Sequence, residues 1–351
     1  MEAKQAGRIA QRRVTWEETP CPLCAADAEQ HWLTVQPAGE PDSYRLVRCG
    51  QCGLGYLNPR PDVASIGQFY SDEYEWYHPP AKQPSWWRSQ QAALRRRVMS
   101  HCYGTPPRLT RWQDKLLATL AAPWMKPTPD SMNGLPYHGE GKLLDFGCGS
   151  GWYAHKMQEL GWNVTGMDFN AEAARQVQDR FGIPVHVGTL PHPDVPPETF
   201  DVITMGAVLE HVHTPHEVVA AAVQALKPGG YLVAAVPNIA SWGFRQFGAD
   251  WWGLQIPHHL LHFTPATLRK LMELHGLEVR EVRLIGQAGW MRRSLATLRE
   301  NAGRRTLRTE LGKLRIVSSM LNRWTVWTQA ADSLQVIAYR PAVTKRRRAA
   351  A

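Results

Sequence analysis

Four cysteines fall into two Cys-x-x-Cys pairs, Cys21/Cys24 and Cys49/Cys52, with 24 residues between them. Two such knuckles are what closes a tetrahedral four-cysteine zinc site, and four thiolates leave no open position, so the metal would be structural. A redox dithiol is the alternative, but no βαβ pattern surrounds either pair. Gly50 and Gly53 flank the second pair, where a chain turning toward sulfur often needs positive φ. A second cluster is Asp145-Phe-Gly147-Cys-Gly149-Ser-Gly151, which follows an apolar run and opens a helical stretch at Trp152. Bare backbone and free N–H groups at a helix start suit a ligand held close. The spacing is not that of a dinucleotide loop, and the Gly-Lys-Ser/Thr of a phosphate-gripping loop is missing. Asp145 would repel a pyrophosphate and welcome an amine. Asp168 lies 19 residues after Gly149, near the ~20 residues at which an acid meets ribose hydroxyls. Together these groups suit a nucleoside-bearing cofactor.

Histidines supply the third kind of chemistry, proton transfer near neutral pH. His211 follows Glu210 at the carboxyl end of a strand-like run, the edge at which open α/β sheets bind ligands. His258, His259 and His262 lie in a Trp-rich segment further on. All four are candidate catalytic bases, against the plainer reading of buried packing histidines. His213 and His216 sit at a helix start and read as solvated. His-x-His-x-x-His over 211–216 is weak as a metal site, because a capping box from Thr214 to Glu217 already explains the local sequence. Cys148 has no neighbour to activate its thiol and reads as a small packing residue of the loop.

The elements that must position these groups follow from periodicity. Tyr44, Leu46 and Val47 read as a short strand in a Cys/Gly-punctuated unit. From about Ser85 to Leu120 the apolar spacing is helical, broken at Pro106–Pro107 and ended by Pro123, with a Pro/Gly-rich linker at 123–141. From Gly141 strand-like runs (KLLDFGCG, NVTGMDF, PVHVGTL, FDVITMGAV, GYLVAAVPN) alternate with helical stretches such as 170–181 and 215–226, which means a parallel sheet with helices on both faces. LEVREVRLIG and SLQVIAYRP read as sixth and seventh strands. The helical stretch 288–330 between them reads as an insertion.

At this point the chain resembles the class I S-adenosylmethionine-dependent methyltransferases: LLDFGCGSGWYAHKM is similar to their first motif, GMDFN to the acidic second-strand end, FDVITMGAVLEHV to the fourth-strand motif and KPGGYLVAAVPN to the fifth-strand entry. The resemblance covers about 140–340. It implies that Asp145 and the amides from Gly147 through Cys148 and Gly149 to Gly151 hold the methionine part of the cofactor. Asp168, with Phe169 beside it, would meet the ribose, Gly188, Thr189 and Leu190 would flank the adenine, and Met205, Gly206 and Ala207 would line the floor. The arrangement CPLC…RCGQCGLGYLNPRP ahead of such a domain, with WWGLQIPHHLLHFTPATL at 251–268, resembles a bacterial group with an N-terminal zinc-binding segment. Sugars and polysaccharide or secondary-metabolite intermediates are the acceptors that resemblance suggests.

Charge and length bound the rest. With 351 residues the chain has room for about two domains. Of the formal +9, the two tails hold +7, at 1–13 and 345–348. Residues 88–97 and 292–315 are also basic, and the remainder is net acidic, so a uniform nucleic-acid-binding face is absent. The two basic stretches read as solvated faces, or as contacts to an anionic substrate or a membrane surface with Trp324 and Trp327 as anchors. No run approaches ~18 apolar residues, the first residues hold no secretory apolar segment, and six cysteines are too few for a disulfide scaffold. A cytoplasmic location is expected.

The domain reading is a basic flexible segment 1–20, a zinc module 21–60, a helical linker or lid 61–135, a methyltransferase domain 136–342, and a basic disordered tail 343–351. The fold expected is α/β, a Rossmann-like seven-stranded methyltransferase sheet, mostly parallel with the last strand antiparallel. The function expected is methyl transfer from S-adenosylmethionine to a small or carrier-linked acceptor, a saccharide or secondary-metabolite hydroxyl or carbon, with structural Zn2+. Two rivals stay open: RNA base methylation with the zinc module reading RNA, and a catalytically silent cofactor-binding scaffold.

Overall fold

The structure, a computed structural model, describes residues 14–37, 42–70, 86–104, 109–125, 135–302 and 315–342. The expectations for residues 1–13 and for the tail 343–351 lie outside the described residues. At the N-terminus β1 (Trp16–Glu17) is followed by β2 (Glu29–Val35), β3 (Tyr44–Cys49), β4 (Gly55–Leu57) and β5 (Arg60–Pro61). β2, β3 and β4 pair antiparallel in sequence, and β1 pairs with β5. The expected flexible segment 1–20 is therefore ordered at its end: the Thr15 N–H donates to Ser65 Oγ at 2.9 Å, and the Trp16 ring lies 5.8 Å from that of Tyr44. Gly53 has the left-handed φ of +81° that the turn after Cys52 requires. Gly50 does not. It is needed for space, because a Cβ there would meet the Ala28 carbonyl at 3.2 Å.

A 3-10 turn (Ile66–Phe69) leads to α1 (Trp86–Tyr103) and α2 (Trp112–Met125). Pro123 does not end α2 but sits in its last turn, where the helix loses only the one hydrogen bond that the missing N–H would make. The apolar stripe of α2 faces outward, with Trp112 70% and Leu120 61% exposed.

The chain then lays down β6 (Lys142–Phe146), α3 (Trp152–Glu159), β7 (Asn163–Asp168), α4 (Ala171–Phe181), β8 (Val185–Val187), β9 (Phe200–Gly206), α5 (Pro215–Ala225) and β10 (Leu226–Pro237). The remaining elements are α6 (Trp242–Phe247), β11 (Leu261–His262), α7 (Pro265–Leu274), β12 (Glu278–Ile285), α8 (Ala288–Ala302), α9 (Arg315–Trp327) and β13 (Ser333–Tyr339). Seven strands form one sheet in the order β12-β13-β10-β9-β6-β7-β8. β10, β9, β6, β7 and β8 run parallel, and β13 runs antiparallel between β10 and β12. This is the Rossmann-like methyltransferase sheet expected from the sequence. β9 is buried along nearly its whole length, as a central strand covered on both faces must be.

Helix ends show why these segments are helical. Asn170 caps α4 by accepting from Glu172 N and Ala173 N, and Gly182 ends it in the left-handed region. Thr264 and Thr267 form a reciprocal capping box on α7. The box expected at Thr214 is not made: Pro215 starts α5, but the Thr214 side chain caps nothing.

The N-terminal unit does not stand apart. β11 pairs with β4, Leu261 with Tyr56 and His262 with Gly55, so the strand order of the small sheet is β11-β4-β3-β2. The Arg60 guanidinium donates to the His213 carbonyl (3.1 Å), His213 Nε2 to the Pro61 carbonyl (2.9 Å) and His216 Nε2 to the Leu23 carbonyl (3.0 Å). His213 and His216, expected to be solvated, are bolts between the two sheets. Trp251 of the Trp-rich segment is buried and fills core, with its indole N–H on Asp332 Oδ1 at 3.1 Å. Among the described residues no helix is long and apolar enough to cross a membrane.

Candidate functional site

A cavity of about 960 Å³ opens at the carboxyl ends of β6, β7, β9 and β10. Ligand pockets run roughly 300–1,000 Å³, so this one has room for a nucleoside-sized molecule and a second small one. Along one side runs the glycine loop. Gly147 has φ +77°, and a Cβ there would lie 2.3 Å from Val208 Cγ2, so only glycine lets the loop turn under β9. Asp168 binds the loop from the next strand. Its Oδ2 accepts from Gly149 N at 2.8 Å and its Oδ1 from Asn170 N at 3.0 Å. A carboxylate has about four acceptor sites, so one lone pair on each oxygen is left.

Asp145, at the end of β6, is buried and accepts from Thr204 Oγ1 at 2.8 Å. Burial pushes its carboxyl up to about 7, with the Thr204 hydroxyl opposing and the charge of Asp168 adding to the rise. Burial also raises Asp168 above the usual carboxylate range, against its two backbone hydrogen bonds.

The cavity brings together most of the residues named from the sequence: Asp145, Gly147, Cys148, Gly149, Asp168 and Phe169 on one side, Gly188, Thr189 and Leu190 beyond β8, and Gly206 and Ala207 after β9. Gly151 and Met205 do not line it. Gly151 is the left-handed N-cap of α3, packed against Val177. Met205 is fully buried, in a strand paired with Phe146 and Ala234. The alternation of strand side chains sends it into the core.

At the other end stand His211 and His259, joined by Glu210 and Tyr70, which the sequence reading did not assign. The Glu210 carbonyl accepts from Leu260 N (2.7 Å) and Leu261 N (3.0 Å), and this pair of bonds pins the loop after β9 to β11. His211 Nδ1 lies 2.9 Å from both the His258 carbonyl and the Tyr70 hydroxyl. His259 Nδ1 lies 2.9 Å from the Gly253 carbonyl. Burial holds His211 down to about 4, helped by its neighbour His258, pushes His259 well below its usual range and lifts Glu210 to about 8.

His258 and His262 do not line the cavity. His258 gives Nε2 to the Phe69 carbonyl at 2.9 Å and packs edge-on against Tyr70, so it holds the segment that carries Tyr70. His262 belongs to β11 and is buried beside Gly55. Of the four histidines expected as candidate bases, these two therefore stand outside the cavity lining.

The four cysteines come together as expected. All six cysteines of the chain are free thiols; Cys21 Sγ is 3.4 Å from Cys52 Sγ, and Cys24 Sγ is 3.6 Å from Cys49 Sγ. The four sulfurs lie within 4.8 Å of one another. Zinc bonds of ~2.3 Å to sulfur in a tetrahedron set sulfur spacings of about 3.8 Å, so this set fits Zn2+ with Cys21, Cys24, Cys49 and Cys52 as its ligands.

Comparison with known proteins gives the following. Residues 108–282 match the family model described as a methyltransferase domain. The chain is similar to ubiquinone biosynthesis O-methyltransferases from Photorhabdus laumondii (35% identity, 31% of this chain and 49% of that protein) and Burkholderia orbicola (32% identity, 40% and 66%). It thus spans about half to two thirds of the length of these relatives. Among solved structures it is similar to an S-adenosylmethionine-dependent methyltransferase from Mesorhizobium loti, at 19% identity and a TM-score of 0.41, over 59% of this chain and 94% of that one.

Proposed function

We propose that the chain, whose residues 108–282 match a methyltransferase domain, transfers the methyl group of S-adenosylmethionine to a hydroxyl oxygen of a small acceptor held in the same cavity. The observation that carries this reading is the continuity of one 960 Å³ space from the glycine loop and Asp168 to Glu210, His211 and His259. The cofactor supplies an electrophilic methyl on a sulfonium. The chain's own residues would do the rest. Asp168 offers its two remaining lone pairs to the ribose diol, and Asp145 offers a carboxylate to the amino group. The bare Nε2 lone pairs of His211 and His259 face the acceptor end. Val63, Ile66, Phe169 and Trp290 line the space and favour an acceptor with an apolar ring face, kept dry for an in-line displacement. The relatives named ubiquinone biosynthesis O-methyltransferases support oxygen as the acceptor atom. A saccharide or secondary-metabolite hydroxyl fits the same requirement. The four cysteines would hold structural Zn2+, and free thiols suit a reducing compartment such as the cytoplasm.

The experiment is calorimetric titration of the zinc-replete protein with S-adenosylmethionine and S-adenosylhomocysteine, followed by transfer of labelled methyl to a panel of phenols and saccharides. Micromolar binding of both cofactor forms and label on one acceptor class are expected. No cofactor binding by a folded sample would defeat the proposal.

The raised carboxyl of Asp145 adds a pH dependence. Below about pH 7 the buried group keeps its proton in the free protein, and it must lose that proton to pair with an ammonium. Cofactor affinity is therefore full above pH 7 and falls as the pH drops through it, approaching tenfold per unit. Calorimetry at pH 6 in two buffers of different ionisation enthalpy should show about one proton released per cofactor bound. Affinity flat from pH 5.5 to 8 would rule out an Asp145–ammonium pair.

A further inference from the structure

Three ligand-type groups converge at the acceptor end of the cavity. Glu210 is fully buried, and neither carboxylate oxygen has a hydrogen-bond partner among the described residues. Burying a bare carboxylate is costly unless a cation is paired with it. The two imidazoles are fixed as ligands are fixed. A carbonyl can only accept, so the His258 carbonyl at His211 Nδ1 and the Gly253 carbonyl at His259 Nδ1 place the ring proton on Nδ1 and leave Nε2 bare. An outer N–H donated to a carbonyl, with the inner nitrogen free, is the usual support of a metal-bound histidine. One carboxylate oxygen of Glu210 and one ring nitrogen from each histidine lie within 4.8 Å of one another, and the two rings stand 4.6 Å apart at 81°. Metal bonds of ~2.0–2.2 Å would set such atoms about 3 Å apart, so the three groups would draw together on taking up the ion.

We propose that Glu210, His211 and His259 bind one divalent transition-metal ion whose open positions take the acceptor oxygen. The proposal deepens the methyltransferase reading and rests on it. Two imidazoles and one carboxylate suit five- or six-coordinate Fe2+, Co2+ or Mn2+ and leave two or three positions open. A vicinal pair of oxygens fills two of them as a chelate, so diol or catechol-type acceptors are selected over isolated hydroxyls. The ion acidifies the bound hydroxyl, whose proton leaves to bulk solvent as the acceptor enters, ahead of the displacement. The oxygen lone pair forms the new C–O bond while the C–S bond breaks, and its electrons return to sulfur as the neutral thioether of S-adenosylhomocysteine.

The test is Co2+ titration of the full chain with its cysteines loaded with Zn2+, read by equilibrium dialysis and electronic absorption. One Co2+ per chain is expected, with weak ligand-field bands and no thiolate-to-cobalt charge transfer. The isosteric Glu210→Gln and the truncating His259→Ala should each weaken it at least tenfold while retaining S-adenosylhomocysteine binding. Wild-type protein that takes up no Co2+, or both variants binding it as wild type does, would overturn the site. Titration of the same samples with S-adenosylhomocysteine separates the two readings: Co2+ bound without S-adenosylhomocysteine overturns the methyltransferase reading alone, and the reverse overturns the metal site alone.

Discussion

Exchange of Cys49 for serine, or removal of Zn2+ by a chelator, is expected to lower the melting temperature by about 10 °C or more and to cost activity as well as stability. Apparent zinc-binding free energies in small zinc folds are about 10–16 kcal/mol at neutral pH. A segment as short as β1 to β5 cannot bury enough surface to stand without such a staple. Loss of even ~4 kcal/mol shifts the melting point of a domain of this size by roughly 8–16 °C. The effect reaches the site through specific bonds. β4 pairs with β11, the Leu57 N–H donates to the Leu260 carbonyl at 2.9 Å, and the N–H groups of Leu260 and Leu261 hold the Glu210 carbonyl. When the zinc unit loosens, the loop bearing Glu210 and His211 loses its brace. Thermal melts of metal-loaded and metal-stripped protein, with methyl transfer measured on both, check this. Stripped protein that melts and turns over like the loaded form would show that the cysteines hold no structural ion.

Asp168→Ala is expected to weaken S-adenosylhomocysteine binding 100-fold or more. Two charge-assisted hydrogen bonds to a ribose diol contribute about 1.5–3 kcal/mol each, and each 1.4 kcal/mol is tenfold in affinity. Asp168 also anchors Gly149 N and Asn170 N, so alanine would release the glycine loop too. Asp168→Asn separates the two contributions: the amide oxygen can still hold one backbone N–H, but the charge and half of the acceptors are gone. Calorimetry on both variants, with circular dichroism to establish folding, decides the matter. Affinity for either within threefold of wild type would refute the ribose assignment.

Local pattern made the elements legible. The runs from KLLDFGCG to SLQVIAYRP are the seven strands of the main sheet; the parallel ones at its centre are apolar because such strands are buried on both faces, while LEVREVRLIG forms the antiparallel edge and alternates with charge. Asn170 and Gly182 mark both ends of α4 in plain sequence. The cysteine pairs were equally legible, since each knuckle is set by residues three apart, and so was the glycine loop, whose turn under Val208 admits no side chain.

Legibility failed where a residue's role depends on a partner far along the chain. β11 is two residues long, too short for any periodicity, and it exists because β4 offers it an edge. With it came the placing outside the cavity lining of His258 and His262, which the sequence could not tell from His259. All three share one Trp-rich segment, and only packing decided which imidazole meets the cavity. Tyr70 reached His211 across 141 residues, and Glu210 was an acidic neighbour until its burial, without a hydrogen-bond partner among the described residues, became visible. The sequence by itself determined the sheet, the glycine loop and the cysteine set, all of which are written in spacings of a few residues. Only the tertiary structure decided the acceptor end, because desolvation and long-range backbone pairing are properties of what surrounds a side chain.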